Sequence, residues 1–384
     1  MDWIDYKEEM PYAYWLHNIK GVGNKGIRKL LKEALKPSRL FEMTKEQMLQ
    51  TYVIKEKIFT QKAVCHIVQS REGWDVMGRY EEMKKKGIDF YPEFHPDYPE
   101  KLKEIPDAPW AVYGIGKLPE QEKMTVAVIG ARECSAYGAH MAKELGRALA
   151  ENGIQVVSGM ARGIDSMAQQ AAMEKGSAYG VLGSGVDICY PQSSRNVYEN
   201  LKRNGGILSE YPPGTEPKPG NFPARNRIIS GLSQAVVVVE AKEKSGTLIT
   251  VDMALEQGRE VYVVPGRITD ALSAGCNRLM KQGADMLCSV EEFIRELHGN
   301  YGYRIGDDAA GKKVEYEKGL EDFELKILEN IDFYPKSIQK IYEEAVEGEK
   351  KEEMPDLKKI MEALIRLEEK GEIQAKGGYY ALKS

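Results

Sequence analysis

Arginines, glycines and hydroxyl side chains in this chain gather in short clusters, each just past a run of apolar residues. Gly130-Ala131-Arg132 with Ser135 follows one run, Ser158-Gly159-Met160-Ala161-Arg162-Gly163 a second, and Gly183-Ser184-Gly185 a third. Glu210 and Phe222-Pro223-Ala224-Arg225-Asn226-Arg227 come next, then Glu240 with Ser245-Gly246-Thr247, then Pro265-Gly266. Small residues let backbone N–H groups approach an anion, and a helix beginning there adds the positive end of its dipole. Guanidinium groups add charge-assisted bonds to phosphate. These residue types together can hold a phosphate compound.

The common phosphate fingerprints do not fit. A dinucleotide site needs G-x-G-x-x-G, whereas Gly130 is followed by Ala131-Arg132-Glu133 and Gly183-Ser184-Gly185 has Ile188 at its third position. A Walker A loop needs G-x-x-x-x-G-K-[ST], and Lys244-Ser245-Gly246-Thr247 has the wrong order. Catalytic alternatives are thin. His17, His66, His95, His140 and His298 form no H-E-x-x-H pair. Ser158 and Ser245 have no base visible in the sequence, so phosphate-contacting hydroxyls are expected in place of nucleophiles. Asp165 falls in a first helical turn, where a carboxylate stabilises the dipole. Phe222 beside Arg225 and Arg227 could stack a base while the guanidiniums hold phosphates. Equally, this could be an Arg-rich helix start paired to Glu210 and Glu240.

The elements that carry these clusters form a regular series. Apolar runs at 126–130, 154–159, 178–183, 207–211, 235–241 and 261–266 alternate with segments long enough for helices. Val- and Ile-rich strands with crossover helices predict a doubly wound parallel sheet, whose ligands bind beyond the carboxyl ends of the strands. Residues 11–70 predict short helices around the Gly21-Val22-Gly23 turn, either a phosphate-holding helix-hairpin-helix or a plain tight turn. Residues 71–123 read as a helix, a strand at 88–91 and an irregular, proline-punctuated stretch. The tail predicts helices at 323–331, 335–345 and 357–369 before a terminal ribbon, the outline of a winged helix.

Composition narrows the class further. The 384 residues carry a net charge of −5, and residues 124–295 balance 18 basic against 18 acidic groups. Any nucleic-acid site is therefore a local cluster, not a bulk positive field. Residues 312–384 hold 14 basic and 18 acidic groups, a poor duplex-binding module. The longest uncharged run is 12 residues, short of the roughly 20 a membrane helix needs. The acidic start lacks an apolar signal region, and the five scattered cysteines contain no CxxC pair. A reduced, cytoplasmic protein is expected, with no membrane and no metal.

The series from Gly130-Ala131-Arg132 and Ser158-Gly-Met-Ala-Arg-Gly163-Ile-Asp165 resembles the DNA-processing protein A (DprA, or Smf) family. Gly185-Val-Asp-Ile-Cys-Tyr190-Pro191, Phe222-Pro-Ala-Arg225-Asn226-Arg227, Ser245-Gly-Thr247 and Val264-Pro265-Gly266 continue the resemblance, in unbroken order across about residues 87–295. It implies a SAM-like helical domain at 1–75, an extended Rossmann-like DNA-binding domain at 76–298, a linker at 299–317 and a winged-helix-like domain at 318–384. It further implies a non-enzymatic, cofactor-free binder of single-stranded DNA that protects incoming strands in natural transformation and loads the RecA recombinase. The same resemblance implies a homodimer through the Rossmann-like domain. Carried over by motif, Arg132, Arg162, Phe222, Arg225, Asn226 and Arg227 would line the DNA pocket. Ser158, Gly159, Gly163, Ser245, Gly246, Thr247 and Gly266 would let backbone come close to it. Two positions depart from the family pattern: Gln169 stands where His is usual, and Gln192 where Lys is frequent.

A competing enzyme class, the nucleoside-monophosphate phosphoribohydrolases, shares such a sheet and a Gly-Thr helix start. Those enzymes follow it closely with paired glutamates, whereas here no carboxylate precedes Asp252.

Overall fold

Short runs of Val, Ala and Ile with no polar alternation suit strands covered on both faces, and the sheet is built from them. The computed structural model describes residues 6–301, 322–328, 330–331, 335–345 and 356–382. Nine strands form one sheet: β1 (Asp89–Pro92), β2 (Ala111–Gly116), β3 (Thr125–Ile129), β4 (Gln155–Ser158), β5 (Ala178–Val181), β6 (Gly206–Ser209), β7 (Ala235–Val238), β8 (Glu260–Val263) and β9 (Asp285–Met286). Their spatial order is β1-β2-β6-β5-β4-β3-β7-β8-β9. Strands β3 to β7 are buried along their whole lengths.

The seven strands from β6 across to β9 run parallel, while β2 pairs antiparallel with both β1 and β6. This is a Rossmann-like, doubly wound sheet. The chain starts in the middle at β3, winds outward through β4, β5 and β6, then returns to wind the other way through β7, β8 and β9. Between β3 and β7 the winding reverses, and loops after adjacent strands diverge there to leave a crevice. Strand β2 interrupts the segment expected to be irregular. Its Ala-Val-Tyr-Gly-Ile-Gly sequence carries two glycines and no alternation, so neither the period-2 nor the propensity signal marks it.

Short helices precede the sheet, including Tyr6–His17 and Asn24–Ala34 on either side of the Gly21-Val22-Gly23 turn. They dock on the β1–β2 hairpin through aromatic rings: Tyr14 and His17 lie within 6.2 Å of Phe90 and Tyr113. His17 Nδ1 lies 2.9 Å from Tyr113 Oη. Just past the turn, Asn24 donates to Glu210 at 2.7 Å and accepts the Trp110 N–H at 2.9 Å. These helices and the sheet belong to one compact unit. The helix Val290–Tyr301 runs past the expected boundary at 298, and the rest of the expected linker lies outside the described residues.

The tail forms its own small core. Helices Asp322–Leu328, Ile338–Ala345 and Leu357–Glu369 bury Ile327, Ile341, Ile360, Leu364 and Leu367. A three-stranded antiparallel sheet closes it, ordered β10 (Lys336–Ser337), β12 (Tyr379–Leu382), β11 (Ile373–Lys376). Glu324, 1% exposed, is clamped by Arg366 at 3.1 Å and Lys370 at 2.6 Å. Among the described residues, no helix is long and apolar enough to cross a membrane.

Candidate nucleic-acid interface

At the point where the winding reverses, three strand ends close on one another. A β-carbon at Gly130, just after β3, would lie 2.7 Å from Ile164 Cγ1 and 3.1 Å from the Glu240 carbonyl oxygen. Gly163, just before the helix Ile164–Lys175, has φ +86° and would place a β-carbon 2.4 Å from the Ala131 carbonyl oxygen. Only glycine meets both demands there. On the β7 side, Ser245 caps the helix Gly246–Glu256 by accepting the Thr247 N–H at 3.2 Å. The Thr247 hydroxyl donates to the Gly130 carbonyl at 3.2 Å. Gly246 is exposed, with open space where a side chain would stand. The N-terminus of that helix therefore faces outward beside the end of β3, where its dipole favours an anion.

Cations stand on this rim. Arg132 is exposed and makes no ion pair among the described residues. Arg162 is exposed too, and pairs at 2.6 Å with Glu133, itself more exposed. An exposed pair of this kind contributes about 0–1 kcal/mol, so a phosphate can displace its carboxylate.

Beneath the rim, several expected contact residues serve the interior. The Ser158 hydroxyl is fully buried and donates to the Val128 carbonyl at 2.6 Å, tying β4 to β3. Arg225 is 6% exposed. Its Nη1 donates to the carbonyls of Gly159, at 2.8 Å, and Val181, at the ends of β4 and β5. Burial lowers its pKa to about 10, opposed by the charge of Asp165. Asp165 is buried beside it and accepts the N–H groups of Gly159 at 3.0 Å and Ala161 at 3.4 Å. Burial raises its pKa, and Arg225 with those hydrogen bonds opposes the rise. Arg227 points to the other side of its helix, where it donates to Glu210 at 2.7 Å and to the Asp107 carbonyl at 2.8 Å. The helix-start alternative thus describes Arg227 with Glu210. Strand-end carbonyls take the Nη1 of Arg225 and Asn226 takes its Nε, while Glu210 and the carbonyls of Asp107 and Ala224 take the donors of Arg227.

Phe222 and Asn226 lie half-buried on the same helix, Asn221–Leu232. Asn226 Oδ1 accepts from Arg225 Nε at 3.2 Å. Phe222 rests against Gly183, after β5, where a β-carbon would lie 2.9 Å from its Cδ1. Its ring stacks with Tyr190 at 5.4 Å and 29°. Gly266 is bare for an internal reason: a β-carbon would lie 2.0 Å from Ser273 Oγ. Gln169 is buried and donates to the Tyr179 carbonyl at 2.8 Å, so this position braces β5 from within. Gln192 is exposed and donates to the Cys189 carbonyl at 3.2 Å.

The structure thus brings Arg132, Arg162, Ser245, Gly246 and Thr247 to one rim, with Gly159, Gly163, Ser158 and Arg225 packed behind it. Two features escaped the sequence reading. Asp165 was legible as a first-turn carboxylate, but not as a buried group that feels the charge of Arg225, because that interaction joins its helix to one 60 residues on. Tyr190 sits in the Cys189-Tyr190-Pro191 turn, whose exposed aromatic ring was the available signal. Asp252, the first carboxylate after Thr247, is exposed on its helix.

The sequence matches the family described as DNA recombination-mediator protein A over residues 90–298, more than half of the chain. DNA processing protein DprA of Streptococcus pneumoniae is 42% identical over 201 residues, covering 52% of this chain and 71% of that protein. The X-ray structure of DNA processing protein A from Streptococcus pneumoniae shares 33% identity and a TM-score of 0.64, over 74% of this chain and 97% of that one. DNA processing protein A from Helicobacter pylori, whose single-stranded DNA binding mode has been described, shares 30% identity and a TM-score of 0.52. That match covers 56% of this chain and 97% of that one. The motif order, the sheet and these relatives agree, and the chain belongs to the DNA recombination-mediator protein A family.

Proposed function

We propose that this chain binds single-stranded DNA without catalysis and acts as a recombination mediator. One observation carries the reading: Arg132 stands exposed and without an ion pair, among the described residues, at the crevice where β3 and β7 diverge. The single-stranded DNA binding mode described for the Helicobacter pylori relative supports it. In this reading Arg132 and Arg162 contact phosphates, and the Gly246 and Thr247 end of a helix adds its dipole. Phe222 and Asn226 border the same track. Ser158, Gly159, Gly163 and Arg225 hold the strand ends in place, and Gly266 keeps its loop closed. Arg227 ties the helix Asn221–Leu232 to Glu210.

Phosphate contacts and base stacking make binding nearly independent of sequence and steeply dependent on salt. The biological role that fits is the one the family resemblance implies: cover an incoming strand in the cytoplasm during transformation, then load RecA onto it. Several protomers are needed to cover a long strand, and pairing through the Rossmann-like domain gains avidity through effective concentration.

Fluorescence anisotropy of labelled oligo-dT, with and without excess duplex competitor, tests the binding. Saturable binding that the duplex does not displace supports the reading, and no binding refutes it. Light scattering with and without oligo-dT tests the dimer; the mass of one chain under both conditions removes that claim alone. Capture of RecA on strand-bound protein, absent without the protein, tests loading.

A further inference from the structure

We propose that Tyr190, not Phe222, is the ring on which a DNA base stacks, with Arg195 holding the adjoining phosphate. The inference rests on the single-strand reading above and deepens it. Phe222 is half-buried: it lies against the bare Cα of Gly183 on one side and stacks with Tyr190, 5.4 Å away, on another. Tyr190 is 44% exposed, with its ring open to solvent. A flat ring seated on another ring is held in orientation before any ligand arrives, so little rotamer freedom is lost when a base covers its outer face.

The turn carrying Tyr190 leads directly into the helix Arg195–Asn204. Arg195 is exposed and makes no ion pair among the described residues, and its charge is felt at Cys189, the residue beside Tyr190. A cation next to an exposed aromatic ring matches the alternation of phosphate and base along a single strand. Any base has a π-face, so the subsite accepts single-stranded DNA of any sequence.

The test is anisotropy with oligo-dT and with an abasic deoxyribose-phosphate strand of equal length, across a salt series. Tyr190→Leu keeps bulk but lacks a π-face, and should bind oligo-dT about five-fold or more weakly than the wild type. Tyr190→Trp should keep the affinity, and its fluorescence should be quenched by oligo-dT but not by the abasic strand. On the abasic strand, wild type and Tyr190→Leu should bind alike. Arg195→Ala should instead lower the slope of log affinity against log salt by about 0.7. Wild-type binding with Tyr190→Leu undiminished, or Tyr190→Trp as weak as Tyr190→Leu, overturns the stacking subsite and leaves the single-strand reading intact. Failure of the wild type itself to bind oligo-dT overturns both.

Discussion

Asp165 and Arg225 meet over the bare Cα of Gly159: a β-carbon there would lie 2.8 Å from the Asp165 carboxylate and 2.7 Å from the Arg225 guanidinium. Both side chains are buried, and burial pushes each toward its neutral form while the other's charge opposes that shift. The pair fixes the ends of β4 and β5 behind the rim where Arg132 stands.

Arg225→Ala leaves the Gly159 and Val181 carbonyls without their donor and removes the positive charge near Asp165. Leaving buried acceptors without a donor costs about 1–3 kcal/mol each, so the urea midpoint should fall. Any loss of DNA affinity should follow the loss of folded protein. Unchanged stability with weakened strand binding would mean that the guanidinium serves the ligand.

His17 gives the stability a pH signature. Desolvation lowers its pKa to about 4, with the charge of Glu210 opposing. Between pH 4 and 6.5 the unfolded chain binds the proton that the folded one refuses, so stability is full above about pH 6.5 and is lost as the pH falls toward 4. The loss is up to roughly 3 kcal/mol. Urea melts at pH 7 and pH 4.5 should show a smaller difference for His17→Gln than for the wild type. Equal differences would contradict the desolvated imidazole.

How much of this was legible follows from the range of each signal. The parallel strands declared themselves through local runs, Thr-Val-Ala-Val-Ile in β3 and Ala-Val-Val-Val in β7, and the helix Leu357–Glu369 through its period. Arg132 and Gly246 followed from the rule that ligands gather past carboxyl strand ends. The sequence could not separate the exposed Arg132 from the buried Arg225, because burial depends on partners far along the chain. Gly159 is silent in the same way, since its need to be glycine comes from Asp165 and Arg225 together. Tyr190 was visible only as part of a motif until its ring stacked on Phe222.

The tail's helix Leu357–Glu369 carries Lys358, Lys359 and Arg366 against Glu362, Glu368 and Glu369, and Arg366 is already engaged by Glu324. Reversing Lys358 and Lys359 to Glu should leave oligo-dT affinity and its salt slope unchanged. A weakened complex would bring this helix into the DNA interface.

Arg132→Ala tests the central claim most directly, by oligo-dT anisotropy across a salt series beside a thermal melt. The side chain is exposed and unpaired among the described residues, so the melt should match the wild type. Loss of one charge-assisted phosphate contact should weaken binding about ten-fold and lower the salt slope by about 0.7. Wild-type affinity and an unchanged slope in the folded variant would contradict the account.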